Sequence, residues 1–243
     1  MKKFELTSDF KMYLGMKLFR IKALVDFGNV KAGDLGGYIE KEKNLSHYGD
    51  AWVSGNAQVY GDGRVSGDAQ VYDNARVYDN ARVSDNARVS GDGRVYGNTL
   101  VSGYARVSGY ARVSDNAQVY GNAQVYGDAW VYGDGQVYGD AWVYGDAWVS
   151  GNARVYDNAR VSGNADILQI TGLGTEHRPT TVFRAEDGIK VACGCFLGDL
   201  GQFRERVKNT RTGKVQEEYL KFAELVEIYF GEEEKQDGRD EIQ

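Results

Sequence analysis

The sequence predicts an all-β solenoid, a parallel β-helix built from short repeats and closed by a small module at each end. Valine occupies every sixth position from Val53 to Val161 without an insertion, which gives nineteen units in register. The second and third positions after each valine are almost always Gly, Asp or Asn, residues that adopt turn conformations at low cost. A fixed short period with one aliphatic residue per unit is typical of solenoids, whose units bury a core only by stacking on one another.

Each unit reads as a two-residue strand followed by a corner. Side chains alternate along a strand, so if Val77 points inward, Arg76 and Tyr78 point outward. Asp79 and Asn80 then form the corner, and the alanine that follows fits where only a small inward side chain has room. We expect three units to close a triangular coil of eighteen residues, with successive coils about 4.8 Å apart. The repeat then holds a little more than six coils, with outward residues sorted onto three faces.

The repeat pattern resembles the hexapeptide-repeat superfamily of left-handed β-helices, the architecture of many bacterial acyltransferases and of one class of carbonic anhydrase. The resemblance implies a left-handed coil and a trimer. Parallel crossovers are usually right-handed, so the handedness comes from the resemblance alone. This chain places Tyr or Ser directly after the valine, where members of the superfamily often have a small residue.

Composition favours one elongated unit with small appendages over two globular domains. The chain has 243 residues, a net charge of −6, one proline and two cysteines. No apolar run suggests a signal peptide or a membrane span, so we expect a cytoplasmic protein without a membrane partner. The acidic balance argues against binding to a nucleic-acid backbone, which calls for a basic stripe.

We divide the chain into four segments. Residues 1–46 form an N-terminal cap, and residues 47–170 form the hexapeptide-repeat β-helix. A module of one hairpin and two helices follows at 171–231. Residues 232–243 are highly charged, and we predict that they are disordered.

The cap is predicted to begin with a hairpin over the first coil. Its two strands lie at Lys3–Thr7 and Lys17–Leu24, where apolar and polar residues alternate. Ile39 and Leu45 are six residues apart and form a degenerate starting coil. His47 then occupies the position of the first expected valine, so the register shifts by two residues at the junction. Such caps cover the unpaired strand edges of a solenoid.

The C-terminal module is predicted to follow a linker at Thr171–Glu176. Thr181–Ala185 and Ile189–Cys193 form a hairpin around an Asp-Gly turn. Asp199, with a glutamine three residues later, is typical of a helix N-cap. A second helix ends at Gly231 and carries an apolar stripe of Val215, Tyr219, Phe222, Val226 and Tyr229.

The flanking segments resemble uncharacterised hexapeptide proteins found in prophages and bacterial genomes, which are often labelled as transferases or polymer-forming proteins. The residues that carry this resemblance are Lys31–Glu40 with Asn44-Leu45-Ser46, and Asp187–Val191 with Cys193–Phe196. The resemblance implies a phage-related accessory protein, which would act in the host cytoplasm, and it brings no activity with it.

Histidine is scarce, and this weighs against catalysis. Acyltransferases of the superfamily use a histidine as general base, and the carbonic-anhydrase site needs three histidine ligands. Only His47 and His177 are present, and both lie outside the regular coils. We therefore expect no catalytic residue, no metal and no cofactor, although the question of an enzyme stays open. Cys193 and Cys195 are predicted to be buried structural residues.

One candidate binding surface is a ladder of arginines beside a ladder of tyrosines. Stacked guanidinium groups repel one another unless something compensates their charge, and the corner residues Asp73 and Asp79 are candidates for this. The alternative is a stripe that binds a small anionic ligand, with arginine for the anion and tyrosine for stacking. The residues are Arg76, Arg94 and Arg112, with Tyr60, Tyr78 and Tyr96.

The second candidate is an aromatic surface on the C-terminal half of the solenoid. Aromatic rings dominate interface hot spots, so this surface suggests subunit association or a protein partner. Stacking of the rings on one another along a face would explain the same pattern without a partner. The outward aromatics are Trp130, Trp142, Trp148, Tyr126, Tyr132, Tyr138 and Tyr144, and two further tyrosines, Tyr104 and Tyr110, occupy corner positions.

These observations lead to the hypothesis of a non-catalytic β-helical interaction protein that forms a homo-oligomer. A phage-encoded accessory protein acting on a host macromolecule or on a small anionic ligand fits this hypothesis. Two alternatives stay open: an acyltransferase-like enzyme with a site between subunits, and a structural, polymer-forming protein.

Overall fold

The computed structural model describes residues 2–231 and confirms the predicted β-solenoid. The predicted disorder of 232–243 lies outside the described residues. The cap contributes strands β1 (Phe4–Tyr13), β2 (Met16–Ala23) and β3 (Leu35–Ile39). The nineteen solenoid strands, β4 to β22, are Trp52–Val53, Gln58–Val59, Arg64–Val65, Gln70–Val71, Arg76–Val77, Arg82–Val83, Arg88–Val89, Arg94–Val95, Leu100–Val101, Arg106–Val107, Arg112–Val113, Gln118–Val119, Gln124–Val125, Trp130–Val131, Gln136–Val137, Trp142–Val143, Trp148–Val149, Arg154–Val155 and Arg160–Val161.

Every third strand pairs in parallel, so the solenoid has three faces. Arg76 pairs with Arg94 and Val77 with Val95, an offset of one eighteen-residue coil. The same offset holds along each face, which confirms the register read from the valines. The first face consists of β5, β8, β11, β14, β17 and β20, the second of β4, β7, β10, β13, β16, β19 and β22, and the third of β6, β9, β12, β15, β18 and β21.

The core is a continuous column of inward valines and alanines. All nineteen valines of the repeat are buried, and most are wholly inaccessible to solvent. Thr99 takes the place of the small inward residue in one unit, and its hydroxyl donates to the Tyr96 carbonyl. This local bond lets a polar side chain sit in an apolar column, because its donor is satisfied.

The backbone conformation at the corners explains why Gly or Asp occupies the second position after each valine. Asp79 has a φ of 57°, in the left-handed region where most residues are strained. Its carboxylate accepts from the Gly97 amide in the next coil, which offsets that strain. At the following position, Asn80 donates to Asn98 and Asn98 to Asn116, so amide side chains form a ladder along this edge.

The N-terminal hairpin extends the first face, as predicted. β1 pairs with β2, β2 with β3, and β3 runs parallel to β5. Ile39 pairs with Val59 and Leu45 with Val65, an offset of twenty residues, which confirms the two-residue shift before the repeat. A short 3₁₀ turn at Glu42–Asn44 connects the end of β3 to Leu45.

Lys3 covers carbonyl groups at the exposed end of the first coil. Its Nζ donates to the carbonyl oxygens of Gly49 at 3.0 Å and Ala51 at 2.8 Å. Burial of the ammonium group lowers the pKa of Lys3 to about 8, although Asp50 and Asp68 act in the opposite direction. This end of the solenoid is therefore closed by a side chain as well as by the hairpin.

The C-terminal module is a four-stranded antiparallel sheet covered by two helices. The predicted hairpin is present, and two more strands flank it. The linker predicted at 171–176 is wrong in its first half, because residues 171–173 continue the first of these strands. A 3₁₀ turn at Asn164–Asp166 leads into β23 (Ile167–Leu173), β24 (Arg178–Ala185), β25 (Gly188–Cys193), β26 (Phe196–Asp199), α1 (Leu200–Thr210) and α2 (Gly213–Gly231).

The two helices follow the predicted boundaries closely. Asp199 accepts from the Gln202 amide at 2.7 Å, and the Gln202 side chain accepts from the Asp199 amide, a reciprocal N-cap. On α2 the predicted stripe is right at Tyr219, Phe222 and Val226 but wrong at its end. Phe230 is buried there, whereas Tyr229 is largely exposed. Within the described part of the chain, neither helix has the length and apolar character needed to cross a membrane.

Candidate functional site

The tyrosine ladder of the first face docks the N-terminal cap. Tyr60, Tyr78 and Tyr96 stack with centroids 4.9 Å apart and nearly parallel rings. The Tyr13 ring packs at a tilt of 53° against the end of this stack, 5.5 Å from Tyr60, and its hydroxyl accepts from the Arg76 guanidinium at 3.0 Å. Burial raises the pKa of Tyr78. The ladder is therefore partly covered by the hairpin tip.

A second tyrosine ladder docks the C-terminal module in the same way. Tyr120, Tyr138 and Tyr156 stack on the third face at centroid distances of 4.8 Å and 4.6 Å. Phe183 of β24 then packs 6.0 Å from Tyr156. Burial raises the pKa of Tyr156 to about 12. Tyr138 thus belongs to an internal stack, on a different face from the tryptophans with which the sequence grouped it.

The arginine ladder is in register but is not neutralised by the corner aspartates. Arg76, Arg94 and Arg112 lie on adjacent strands of the first face. Within residues 2–231 none of them forms an ion pair. The aspartates that were expected to compensate them instead bond the next coil, since Asp73 accepts from the Gly91 amide. At two positions an aromatic ring, rather than a carboxylate, lies against the guanidinium group. The Arg76 guanidinium lies 5.2 Å from the Tyr13 ring centroid, and that of Arg112 lies 5.8 Å from the Trp130 ring.

Three of the predicted aromatic residues lie together on the first face. The Trp130 indole nitrogen donates to the Ser114 hydroxyl at 3.2 Å and covers that serine, which is buried. Its ring packs against Tyr132 at 4.8 Å and meets Trp148 edge-on at 6.0 Å. Trp148 ends this row and is 50% exposed. Trp130 is therefore anchored within the fold, whereas Trp148 faces solvent.

Three more of these residues lie on the second face. Tyr126 and Tyr144 stack at 5.2 Å, and Trp142 packs edge-on against Tyr126 at 6.3 Å. The Arg160 guanidinium lies 4.4 Å from the Trp142 ring. Trp142 is still 36% exposed.

The two clusters flank one edge of the prism. The chain passes from the second face to the first through corners at Tyr110, Asp128 and Asp146. Tyr110 projects from this edge and is 64% exposed, whereas Tyr104 projects from the edge between the third and second faces. We call this surface the aromatic edge, and its members are Tyr110, Tyr126, Trp130, Tyr132, Trp142, Tyr144 and Trp148.

Neither histidine lies on a regular coil of the solenoid. His47 is partly buried at the cap junction, where it stacks 4.4 Å from the Phe4 ring. Its Nδ1 accepts from the Lys3 amide, and its Nε2 lies 3.0 Å from Glu42. His177 is exposed in a turn. Across residues 2–231, no three His, Cys, Asp or Glu side chains are grouped so that they hold a metal ion.

The prediction that both cysteines are buried is wrong for Cys195. Cys193 ends β25 and is half-buried, and its sulfur accepts from the Thr180 hydroxyl. Gly194 then takes a φ of 59° and turns the chain, which leaves Cys195 exposed. The turn follows directly on β25, so Cys195 does not share the strand face of Ile189 and Val191.

Comparison with protein families finds a match within the solenoid. The matching stretches are 69–84, 81–97, 111–127, 117–133, 136–151 and 153–165. They are similar to the YdcK beta solenoid repeat. The similarity supports a β-helix repeat protein, in agreement with the parallel strand pairing. The YdcK-type stretches contain every member of the aromatic edge except Tyr110, and they include neither the cap nor the C-terminal module. No curated protein matches the chain.

Sequence reasoning missed the docking roles of Tyr13 and Phe183. Both residues lie outside the repeat, and only the folded chain brings them to the ends of the two ladders. One signal was available, because each ladder stops at the solenoid end that receives a module. An exposed end of a tyrosine stack predicts an aromatic partner.

Proposed function

We propose that the protein is a non-catalytic β-solenoid binding protein that self-associates through the aromatic edge. The observation that carries this proposal is the exposure of Trp142 and Trp148 on the two faces beside one edge, with Tyr110 between those faces. The tyrosine ladders are used internally to dock the cap and the module. Among residues 2–231, no ring of the cap or of the C-terminal module packs on Trp142 or Trp148.

The chemistry of this edge suits a second copy of the same chain. Aromatic residues dominate hot spots, and rings held on a rigid β-surface lose little entropy on binding. The exposed carboxylates of Asp128 and Asp146 lie at this edge, and the exposed guanidinium of Arg112 lies on the adjoining first face. A surface with both charges is able to complement itself across a symmetry axis. A trimer is what the resemblance to hexapeptide-repeat proteins implies.

The test is the solution mass of a Trp142→Ser, Trp148→Ser double variant. We expect the parent protein to be an oligomer by size-exclusion chromatography with light scattering, and the double variant to be largely monomeric at the same concentration. Tyr104→Ser is the control, since it removes a ring that is 64% exposed, more than either tryptophan, from another edge and leaves the mass unchanged. A parent protein that is monomeric at every concentration, or a double variant that associates like the parent, would contradict the proposal.

The alternatives are separated by the same preparations. Concentration-dependent filaments would favour a polymer-forming protein, and binding of acyl-CoA would favour an acyltransferase-like enzyme. Capture of one host macromolecule by the parent, with loss in the double variant, would favour a phage-encoded accessory protein that uses this edge for a different partner. A small anionic ligand at Arg94 and Arg112 would show as binding that survives in the double variant.

A further inference from the structure

The C-terminal module contains a cavity that the proposed self-association does not use. It lies between the end of the four-stranded sheet and the two helices, has a volume of about 100 Å³ and is open to solvent on one side. The residues that matter here come from four places in the fold: the turn after β23, the β25–β26 turn, α1, and the start of α2.

The floor of the cavity is apolar. Phe203, Val207 and Tyr219 are buried residues that pack the helices on the sheet, and they also line the cavity. Phe196 packs 5.6 Å from Phe203 at its side. A ligand that enters must therefore bring an apolar body to displace water from these walls with a gain in free energy.

The rim of the cavity is positively charged in an acidic protein. Arg178, Arg206 and Arg211 line it. Arg178 is paired with Glu176. Among the described residues that line the cavity, Glu176 is the only acidic one. The Arg206 guanidinium lies 5.9 Å from the Phe196 ring centroid, and within residues 2–231 neither Arg206 nor Arg211 forms an ion pair. Two guanidinium groups are thus available to an anion, and guanidinium matches carboxylate, sulfonate and phosphate groups.

We infer that this cavity binds a small amphipathic organic anion, one acidic group joined to an apolar body. The acidic group meets Arg206 and Arg211 at the rim, and the apolar body lies against Phe196, Phe203 and Val207. The site is separate from the solenoid, so its occupancy is independent of self-association through the aromatic edge. Cys195 is exposed at the same rim and provides a chemical reporter.

The first experiment uses the parent protein with 8-anilinonaphthalene-1-sulfonate as the probe. We expect saturable fluorescence enhancement, and we expect octanoate to displace the probe at least about tenfold better than 1-octanol, since only octanoate offers a charge for the arginines. Equal competition by the two compounds would overturn the inference. This comparison needs no variant, so it holds whether or not substitutions in the module fold.

The second experiment locates the site. Arg206→Gln with Arg211→Gln should weaken probe binding at least about tenfold. Lys208→Gln removes one positive charge from an exposed position on the same helix, outside the cavity, and should leave binding unchanged. Octanoate should also slow the reaction of Cys195 with a thiol reagent in a Cys193→Ser background. Unaltered binding in the folded double variant, or no protection of Cys195, would place the probe elsewhere and refute the assignment.

Discussion

Replacement of Val107 by aspartate tests the solenoid register at its centre. Val107 lies on β13 with no exposed surface, and it pairs with Val89 in the coil before and with Val125 in the coil after. The neighbouring inward side chains are valine and alanine, which offer no donor to a carboxylate. The substitution therefore buries an unpaired charge in an apolar column.

The expected loss of stability is large. Loss of the buried valine side chain costs roughly 2 kcal/mol, and a buried charge without a partner costs about 3–5 kcal/mol. The sum of about 5–7 kcal/mol is comparable with the whole stability of a typical domain, ~5–15 kcal/mol. Each coil contacts mainly its neighbours, so we expect the coils around Val107 to unfold before the rest.

The assay is urea denaturation followed by circular dichroism, with hydrogen exchange to locate the damage. Ser108→Asp is the matched control because it adds the same charge one residue away on an outward side chain, and it should change stability by less than about 0.5 kcal/mol. Val107→Ala should fall between the two, with a loss of about 2–3 kcal/mol from the missing methyl groups and the cavity. Equal urea midpoints for Val107→Asp and Ser108→Asp would refute the assigned register.

Two further predictions concern the docking ladders. Tyr13→Phe removes the hydroxyl that bonds Arg76, so it should cost about 1 kcal/mol and speed hydrogen exchange in β1. Met12→Ser changes an exposed neighbour and should not speed it. Equal exchange in both variants would show that the Tyr13 hydroxyl does not help to dock the cap. Burial raises the pKa of Tyr156 to about 12, so the folded state holds a proton that the unfolded state releases from pH ~10 upward. The stabilisation from Tyr156 is complete below pH ~10 and is lost as the pH rises toward about 12. Thermal unfolding across this range should show a smaller decline in Tyr156→Phe than in the parent, and identical declines would contradict the assignment.

The solenoid could be predicted from the amino-acid sequence, because its physical cause is local and repeated. A valine every six residues with Gly or Asp in the left-handed corners leaves one arrangement in which all the valines are buried together. The strand register and the membership of the three faces follow from that period alone, as does the two-residue shift between Leu45 and Val53. The reciprocal cap at Asp199 was likewise predictable, because it depends on residues three apart.

The roles of the surface residues, by contrast, depend on contacts between segments that are distant in the chain. Tyr13 and Phe183 reach the ladders across 47 and 27 residues of chain, from Tyr60 and Tyr156 respectively, so no short-range pattern links them. Trp130 is less exposed than Trp148, because its indole nitrogen bonds Ser114 and Trp148 covers one side of its ring. The cavity in the C-terminal module exists because a sheet and two helices meet there, and the turn at Gly194 brings Cys195 to its rim. Outward positions share one sequence signature, but packing between distant segments determines which of them face solvent.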